Sequence, residues 1–160
     1  MKLSARLIFT MAVTIAAAMV WPAATPAAAH GYKNGTIDVH HPWTRAGTGA
    51  ARIAIVSMTL RNVSGKDERL ISATMRGGAK VILVAASPDV KAATGAVPVG
   101  GGGISVPAGQ TIELKATSAH IRIEGLPAPL TDYDQIPMTL VFERSGSLEI
   151  EVIVEEAPTQ

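Results

Sequence analysis

The chain has 160 residues, no cysteine and nearly balanced charges, with 14 Lys and Arg against 13 Asp and Glu. The lack of cysteine excludes disulfides, thiolate metal sites, thiol catalysis and a lipidated N-terminal cysteine. Beyond residue 29 the basic residues form no cluster, so the charge pattern gives no indication of nucleic-acid or membrane-surface binding.

The N-terminal stretch differs in composition from the rest and is typical of a signal peptide. An apolar run follows Lys2 and Arg6, and the small residues Ala27–Ala29 follow the run. The run is about 14 residues long, shorter than the roughly 20 that an uncleaved membrane anchor needs. We therefore expect residues 1–29 to be removed and His30 to become the first residue of a periplasmic or otherwise exported protein.

The remaining residues, 30–160, have the length of a single domain, and their pattern predicts strands. Short β-branched runs are separated by Gly, Pro, Asn and Ser, and no helical periodicity lasts longer than two turns. Such a series is typical of an all-β sandwich or barrel. The predicted strands, in chain order, are Thr36–Val39, Ile53–Arg61, Glu68–Met75, Lys80–Ala85, Thr111–Leu114, His120–Glu124, Pro137–Glu143 and Leu148–Val154.

Alternation within these strands predicts which side chains enter the core. In the last strand, apolar residues alternate with Glu149 and Glu151, so one face is expected to be buried and the other exposed. The same argument assigns Met58 and Met138 to the core rather than to a metal site. The Ala- and Gly-rich residues 87–103 predict a crossing loop, without the Gly-Lys-Ser/Thr sequence of a phosphate-binding loop.

Motifs of catalysis are absent from the sequence, which contains neither G-x-S-x-G nor H-E-x-x-H. Ser118, His120 and Asp132 are one conceivable triad, but serines and acids are too common for this set to indicate a hydrolase. We predict that the protein is not an enzyme.

The histidines, at positions 30, 40, 41 and 120, are the candidate metal ligands. In the strand that begins at His120, alternation places the two isoleucines inside. It predicts that His120 lies on the opposite, exposed face with Arg122 and Glu124. An exposed histidine on a strand is by default a solvated side chain.

The other three histidines lie near the start of the expected domain. Pro42 predicts an extended backbone at His41, and Trp43 is expected to pack on the end of the barrel. His40 and His41, as neighbours on a strand, are expected to face opposite ways and not to chelate one ion.

His30 differs from the other histidines because cleavage after Ala29 would free its α-amine. The amine and the imidazole of one residue can bind Cu(II) together; a frayed terminus is the alternative. An enzyme built on such an N-terminal copper would need a second imidazole and an aromatic substrate surface, and the sequence offers few aromatic residues for one.

Several stretches, in order, resemble the periplasmic copper chaperones of the PCu(A)C type, and the match runs from about Thr36 to Val154. The resemblance implies a cupredoxin-like Greek-key β-barrel that binds Cu(I) through two His-x-Met pairs and a further Met. It also implies delivery of copper to the binuclear copper centre of cytochrome c oxidase, alongside a Sco-type partner. The matching stretches are His41–Ala46, Met58–Asn62, Ile104–Leu114, His120–Leu126 and Ile136–Glu143.

The ligand set that the resemblance implies is largely replaced in this chain. The first His-x-Met pair falls on Val84 and Ala86, the lone Met on about Ala96, and the second pair on His120 and Arg122. His120 is thus the one expected ligand that remains, and Arg122 adds a permanent cation to its strand face.

Two interpretations remain open. In the first, the protein handles copper, Cu(I) rather than Cu(II), at an altered site that uses His120 with His30, His40 or His41. In the second, the barrel has lost its metal and binds a protein or another periplasmic ligand through its exposed face.

Overall fold

The computed structural model describes residues 31–46, 52–85, 97–98 and 102–156. Within this part of the chain, the secondary structure consists of strands, and no helix could cross a membrane. The strands are β1 (Gly31–Asn34), β2 (Ile37–Arg45), β3 (Ile53–Asn62), β4 (Glu68–Met75), β5 (Lys80–Ala85), β6 (Val97–Pro98), β7 (Ile104–Val106), β8 (Thr111–Leu114), β9 (His120–Glu124), β10 (Gln135–Phe142) and β11 (Gly146–Glu155).

The strands form one continuous, curled sheet in the order β6-β5-β9-β3-β2-β11-β10-β4-β7, with β1 added to β2 and β8 added to β3. β2 and β11 run parallel, and the other pairs described are antiparallel. The first half of β3 pairs with β9 and its second half pairs with β8, so β3 links two parts of the sheet. The prediction of an all-β barrel or sandwich is confirmed.

Four strands, β4, β5, β8 and β9, have the bounds that the sequence predicts. The strand predicted at Thr36–Val39 is wrong in its end, because β2 continues to Arg45. β1 and β7 are not predicted. β1 has one large apolar residue, Tyr32, and exists because it folds back on β2. β6 lies in the predicted crossing loop, most of which is outside the described residues.

The barrel interior is filled by the apolar residues that alternate inward along the strands. Met58 and Met138 are each 2% exposed, which confirms that both belong to the core. Ile121 and Ile123 of β9 are fully buried, as alternation predicts. The largest side chains that are fully buried include Phe142, Ile37, Leu60, Leu70, Leu114, Leu140 and Ile150.

One end of the barrel is held by buried polar side chains. The amide of Asn62 donates to the carbonyls of Lys66 (2.8 Å) and Val106 (2.9 Å), while its oxygen accepts from the Ser64 backbone and hydroxyl. Glu68, 3% exposed, accepts hydrogen bonds from the turn between β10 and β11. Both residues therefore hydrogen-bond to backbone groups of the loops that would otherwise have no partner in the sheet.

Candidate metal site

The register of β5 against β9 brings together positions that are far apart in sequence. Val84 lies directly opposite His120, and Ile82 lies opposite Arg122. Directly opposed residues of an antiparallel pair have Cβ atoms about 5 Å apart and share one face of the sheet. The positions at which the resemblance expects the histidines of the two His-x-Met pairs are therefore neighbours across the strands.

The prediction that His120 lies on an exposed face is wrong, because the side chain is 5% exposed. Val84, its partner on the same face, is 2% exposed. Alternation predicts the face that a strand residue takes, but it does not predict whether the rest of the chain covers that face. His120 is therefore a buried imidazole beside an apolar neighbour.

The hydrogen bond of His120 sets the roles of its two ring nitrogens. Nδ1 lies 2.9 Å from the carbonyl oxygen of Ser118, which can only accept. Nδ1 is accordingly assigned the proton, and the lone pair is on Nε2. Histidines that bind metals commonly donate their second ring nitrogen to a carbonyl in this way, so His120 is oriented as a ligand would be.

The neighbours of His120 do not complete the ligand set that the resemblance implies. Val84 offers no donor atom, and Arg122 forms an ion pair with Glu124, with Nε 3.1 Å from Oε1. Ala86 and Ala96 lie outside the described residues. Among the residues that are described, no three His, Asp or Glu side chains approach one another closely enough to hold an ion. The residues present thus fit one imidazole ligand and not the full His and Met set.

The conceivable triad of Ser118, His120 and Asp132 receives no support from the contacts. The Ser118 hydroxyl donates to backbone carbonyls, including that of Glu113 at 3.2 Å. The atom of Ser118 that is hydrogen-bonded to the His120 ring is the backbone carbonyl oxygen and not the hydroxyl. A nucleophilic serine would instead give its hydroxyl proton to the ring.

His40 and His41 lie on β2, and both side chains are exposed. One expectation about them is wrong: His41 is not extended, since its φ is +49°. Between His40 and Trp43, β2 has one residue more than β3, which is a β-bulge. The bulge accommodates Pro42, which cannot donate a hydrogen bond within an interior strand.

His41 has a partner that the sequence does not reveal. Its Nε2 lies 2.5 Å from Oε1 of Glu155, at the end of β11. The two strands run parallel here, and no local signal connects residues so far apart in sequence. Trp43 is half-buried, with its ring 6.2 Å from the His41 ring and the Arg45 guanidinium 5.5 Å from its centre.

The candidate ligands fall into two separate regions. β3 lies between β2, which carries His40 and His41, and β9, which carries His120, so the axes of the two strands are about 10 Å apart. The structure does not bring these residues together into one site. His30 lies outside the described residues.

On the outer face of β3, β9 and β5, apolar side chains surround the ion pair of Arg122. Ile55 and Ile82 lie opposite Arg122 on its two sides and are half-buried. Ile53 continues the patch and is 46% exposed. A cavity of about 510 Å³ adjoins it, lined by Trp43, Ile53 and Ile55 among others.

Comparison with known proteins agrees with this architecture. The family model described as "Putative lipoprotein LpqE-like" matches residues 37–154. No curated protein matches the chain. The chain itself has no cysteine that could carry a lipid.

Several solved structures are similar to the chain. The apo PCuAC domain from PmoF1 is 22% identical over 80% of this chain and 100% of that chain, with a TM-score of 0.69. The copper-bound PCuAC domain from PmoF2 is 23% identical over 80% of this chain and 99% of that one, with a TM-score of 0.67. The solution structure of CuI-DR1885 from Deinococcus radiodurans is 21% identical over 71% and 74% of the two chains, with a TM-score of 0.56. These likenesses confirm the cupredoxin-like fold.

Proposed function

The chain belongs to the LpqE-like family, and from this premise we propose that it is an exported, non-enzymatic protein that carries copper for delivery to an acceptor. Its cargo is Cu(I), for which imidazole is a suitable ligand where no thiol is present. The fold that it shares with PCuAC domains, one of them copper-bound, supports this proposal.

The single observation that carries the proposal is the orientation of His120. Its Nδ1 is bonded to the Ser118 carbonyl, so its Nε2 lone pair is available to a metal. It occupies the position of the second His-x-Met pair, and Val84, at the position of the first, lies directly opposite. Of the two positions at which the family resemblance expects histidines, one thus carries a histidine in this chain, which supports His120 as the ligand.

A single imidazole binds Cu(I) weakly, which defines how such a carrier works. The remaining ligands come from the protein that gives or receives the ion, so copper is held firmly only in the transfer complex. We propose that the acceptor is the binuclear copper centre of cytochrome c oxidase, that a Sco-type protein takes part, and that transfer occurs in the periplasm. The resemblance to periplasmic copper chaperones supports these steps.

The test is an anaerobic titration with Cu(I), in the presence of a weak competing chelator, of the chain that begins at His30. We expect one Cu(I) per chain, lost in His120→Ala and in His120→Gln, since the amide of Gln is a much poorer ligand for Cu(I). His40→Ala, which removes an exposed histidine from another strand, is the matched control and is expected to bind as the parent does. Circular dichroism of each variant verifies that the barrel is intact. Equal binding by the parent and both His120 variants would overturn the proposal.

The alternative function is a metal-free module that binds a protein partner. The observation that favours it is the apolar patch of Ile53, Ile55 and Ile82 on the outer face of the sheet. Copper uptake and cellular activity separate the two functions. The metal-free module is favoured if the chain binds no copper and if its activity in cells is kept in His120→Ala but lost in Ile53→Glu.

A further inference from the structure

The cavity of about 510 Å³ beside Ile53 is a groove on the outer face of the sheet. Ile53 and Ile55 of β3 line this groove, together with Trp43 of the neighbouring strand β2. The turn that follows β8 contributes residues 115–117 to the lining. Cavities of roughly 300–1,000 Å³ with aliphatic and aromatic linings and a few polar groups are typical of binding sites. The polar groups of the groove therefore indicate what it binds.

The groove carries positive charge. Arg45 and Lys115 both line it, and no Asp or Glu is among the described residues that do so. The Arg45 guanidinium lies 5.5 Å from the centre of the Trp43 ring, and none of the described carboxylates forms an ion pair with it. Lys115 pairs with Glu113, but the two side chains are 51% and 62% exposed, so water screens this pair. The charge of the groove favours an anionic ligand.

A buried hydroxyl adds a hydrogen-bonding group to the groove. Ser57 is 7% exposed, lines the groove and is the partner of Trp43 in the pairing of β2 with β3. Within the described ranges, the Ser57 side chain makes no hydrogen bond. A buried hydroxyl without a partner costs free energy, and a ligand that bonds to it recovers that cost. A peptide can supply the partner, because almost every residue has a backbone N–H and every residue has a carbonyl.

The groove also lies next to His120. Val56 of β3 pairs with Ile121 of β9, and both side chains are fully buried. The residues adjacent to them, Ser57 and His120, therefore lie side by side on the outer face of the two strands. A protein that docks in the groove is thus placed beside the imidazole, where the proposed function requires the ligands of a second protein.

We propose that the groove binds an acidic and apolar segment of the protein that exchanges copper with this chain. Aliphatic side chains of the segment pack on Ile53 and Ile55, its carboxylates pair with Arg45 and Lys115, and its backbone bonds to the Ser57 hydroxyl. The identity of the partner as a copper donor or acceptor rests on the proposed function. Binding of the segment itself does not require copper.

The test is NMR of the nitrogen-15-labelled chain that begins at His30, titrated without copper. The probe is a short synthetic peptide that has two leucines flanked on both sides by aspartate. We expect saturable shifts of the Trp43 indole N–H and of the backbone N–H groups of Ile53, Ile55 and Thr117. A peptide with lysine in place of aspartate, and one with serine in place of leucine, are each expected to bind at least tenfold more weakly. Equal binding of the aspartate and lysine peptides would overturn the proposal.

Matched variants test the groove residues. We expect Arg45→Glu and Ile53→Ser each to weaken binding of the aspartate peptide at least tenfold. Arg61→Glu and Val63→Ser are the controls, because both positions are exposed and neither lines the groove, and they are expected to bind as the parent does. All four changes are at exposed positions, so each variant is expected to keep the circular dichroism of the parent. Unchanged affinity in Arg45→Glu and Ile53→Ser would overturn the proposal.

Sedimentation of the chain without peptide tests whether a second copy of the chain occupies the groove instead. We expect a monomer; a dimer that dissociates in Ile53→Ser would overturn the proposal. Cu(I) binding at His120, measured separately, tests the proposed function. If Cu(I) binding fails while the peptide binds as expected, the copper role is wrong and the groove remains a peptide site. If the peptide fails to bind while Cu(I) binds, the inference about the groove alone is wrong.

Discussion

Replacement of Glu68 by alanine is expected to be the most destabilising change at the polar end of the barrel. Glu68 is 3% exposed, and its carboxylate accepts four hydrogen bonds. These come from the backbone N–H groups of Arg69 (2.8 Å), Arg144 (3.0 Å) and Ser145 (2.9 Å) and from the Ser145 hydroxyl (2.7 Å). The carboxylate thereby ties the start of β4 to the turn between β10 and β11.

The expected loss of stability follows from the number of hydrogen-bond donors that lose their acceptor when the Glu68 carboxylate is removed. Each buried N–H left without a partner costs about 1–3 kcal/mol, and the turn can relax toward water to recover part of that. We expect Glu68→Ala to lower the free energy of unfolding by about 3 kcal/mol. For a domain of this size that corresponds to a fall in Tm of about 10 °C.

Urea denaturation at pH 7, followed by circular dichroism, measures this change. Glu143→Ala is the matched control, because its carboxylate is 54% exposed and lies 4.0 Å from Arg69 Nε. The control is expected to change the free energy of unfolding by less than about 0.5 kcal/mol. A Glu68→Ala variant as stable as the control would show that the hydrogen bonds of the Glu68 carboxylate do not stabilise the barrel.

Three further predictions concern acid, glycine and copper. Burial raises the pKa of Glu68, but the hydrogen bonds from Ser145, Arg69 and Arg144 outweigh it and leave the pKa below the usual 4.5. The ionised carboxylate therefore stabilises the fold above pH 4.5, and this stabilisation is lost as the pH falls through the lowered pKa. The difference in free energy of unfolding between the parent and Glu68→Gln should accordingly disappear in acid. Urea denaturation at several pH values measures this difference. Gly103→Ala should cost about 2 kcal/mol or more in the same assay, because φ is +67° and an added Cβ would meet the Leu70 carbonyl oxygen; a cost below about 0.5 kcal/mol would contradict this. The double variant Val84→His/Arg122→Met should bind Cu(I) at least tenfold more tightly than the parent in competitive titration, which corresponds to about 1.4 kcal/mol. Unchanged affinity would mean that the side chains at positions 84 and 120, although opposite one another in the sheet, cannot bind one copper ion together.

Much of the fold follows from local sequence signals. Where alternation is regular and turn residues mark both ends, as in β4, β5, β8 and β9, the strand bounds are predicted correctly. β1 is missed because its stability depends on pairing with β2 and not on its own pattern. Pro42 itself indicates the bulge, because proline within an interior strand is found at bulges, but it does not predict how β2 pairs with β3 on either side of the bulge.

The candidate site is less predictable because its properties depend on contacts between distant parts of the chain. The sequence identifies His120 as the ligand to examine, and alternation correctly places it opposite to the buried isoleucines. Its burial, its bond to Ser118 and its position opposite Val84 require the folded sheet. The carboxylate of Glu155 beside His41 is missed for the same reason.

The most direct test of the central claim is nitrogen-15 NMR of the histidine rings during an anaerobic Cu(I) titration of the chain that begins at His30. Cu(I) is diamagnetic, so each ring nitrogen is observed in the bound state. We predict that the Nε2 resonance of His120 shifts as copper binds while its Nδ1 keeps the proton that it donates to the Ser118 carbonyl. Copper binding that leaves the His120 ring unchanged, or no copper binding at all, would contradict the assignment of His120 as the copper ligand.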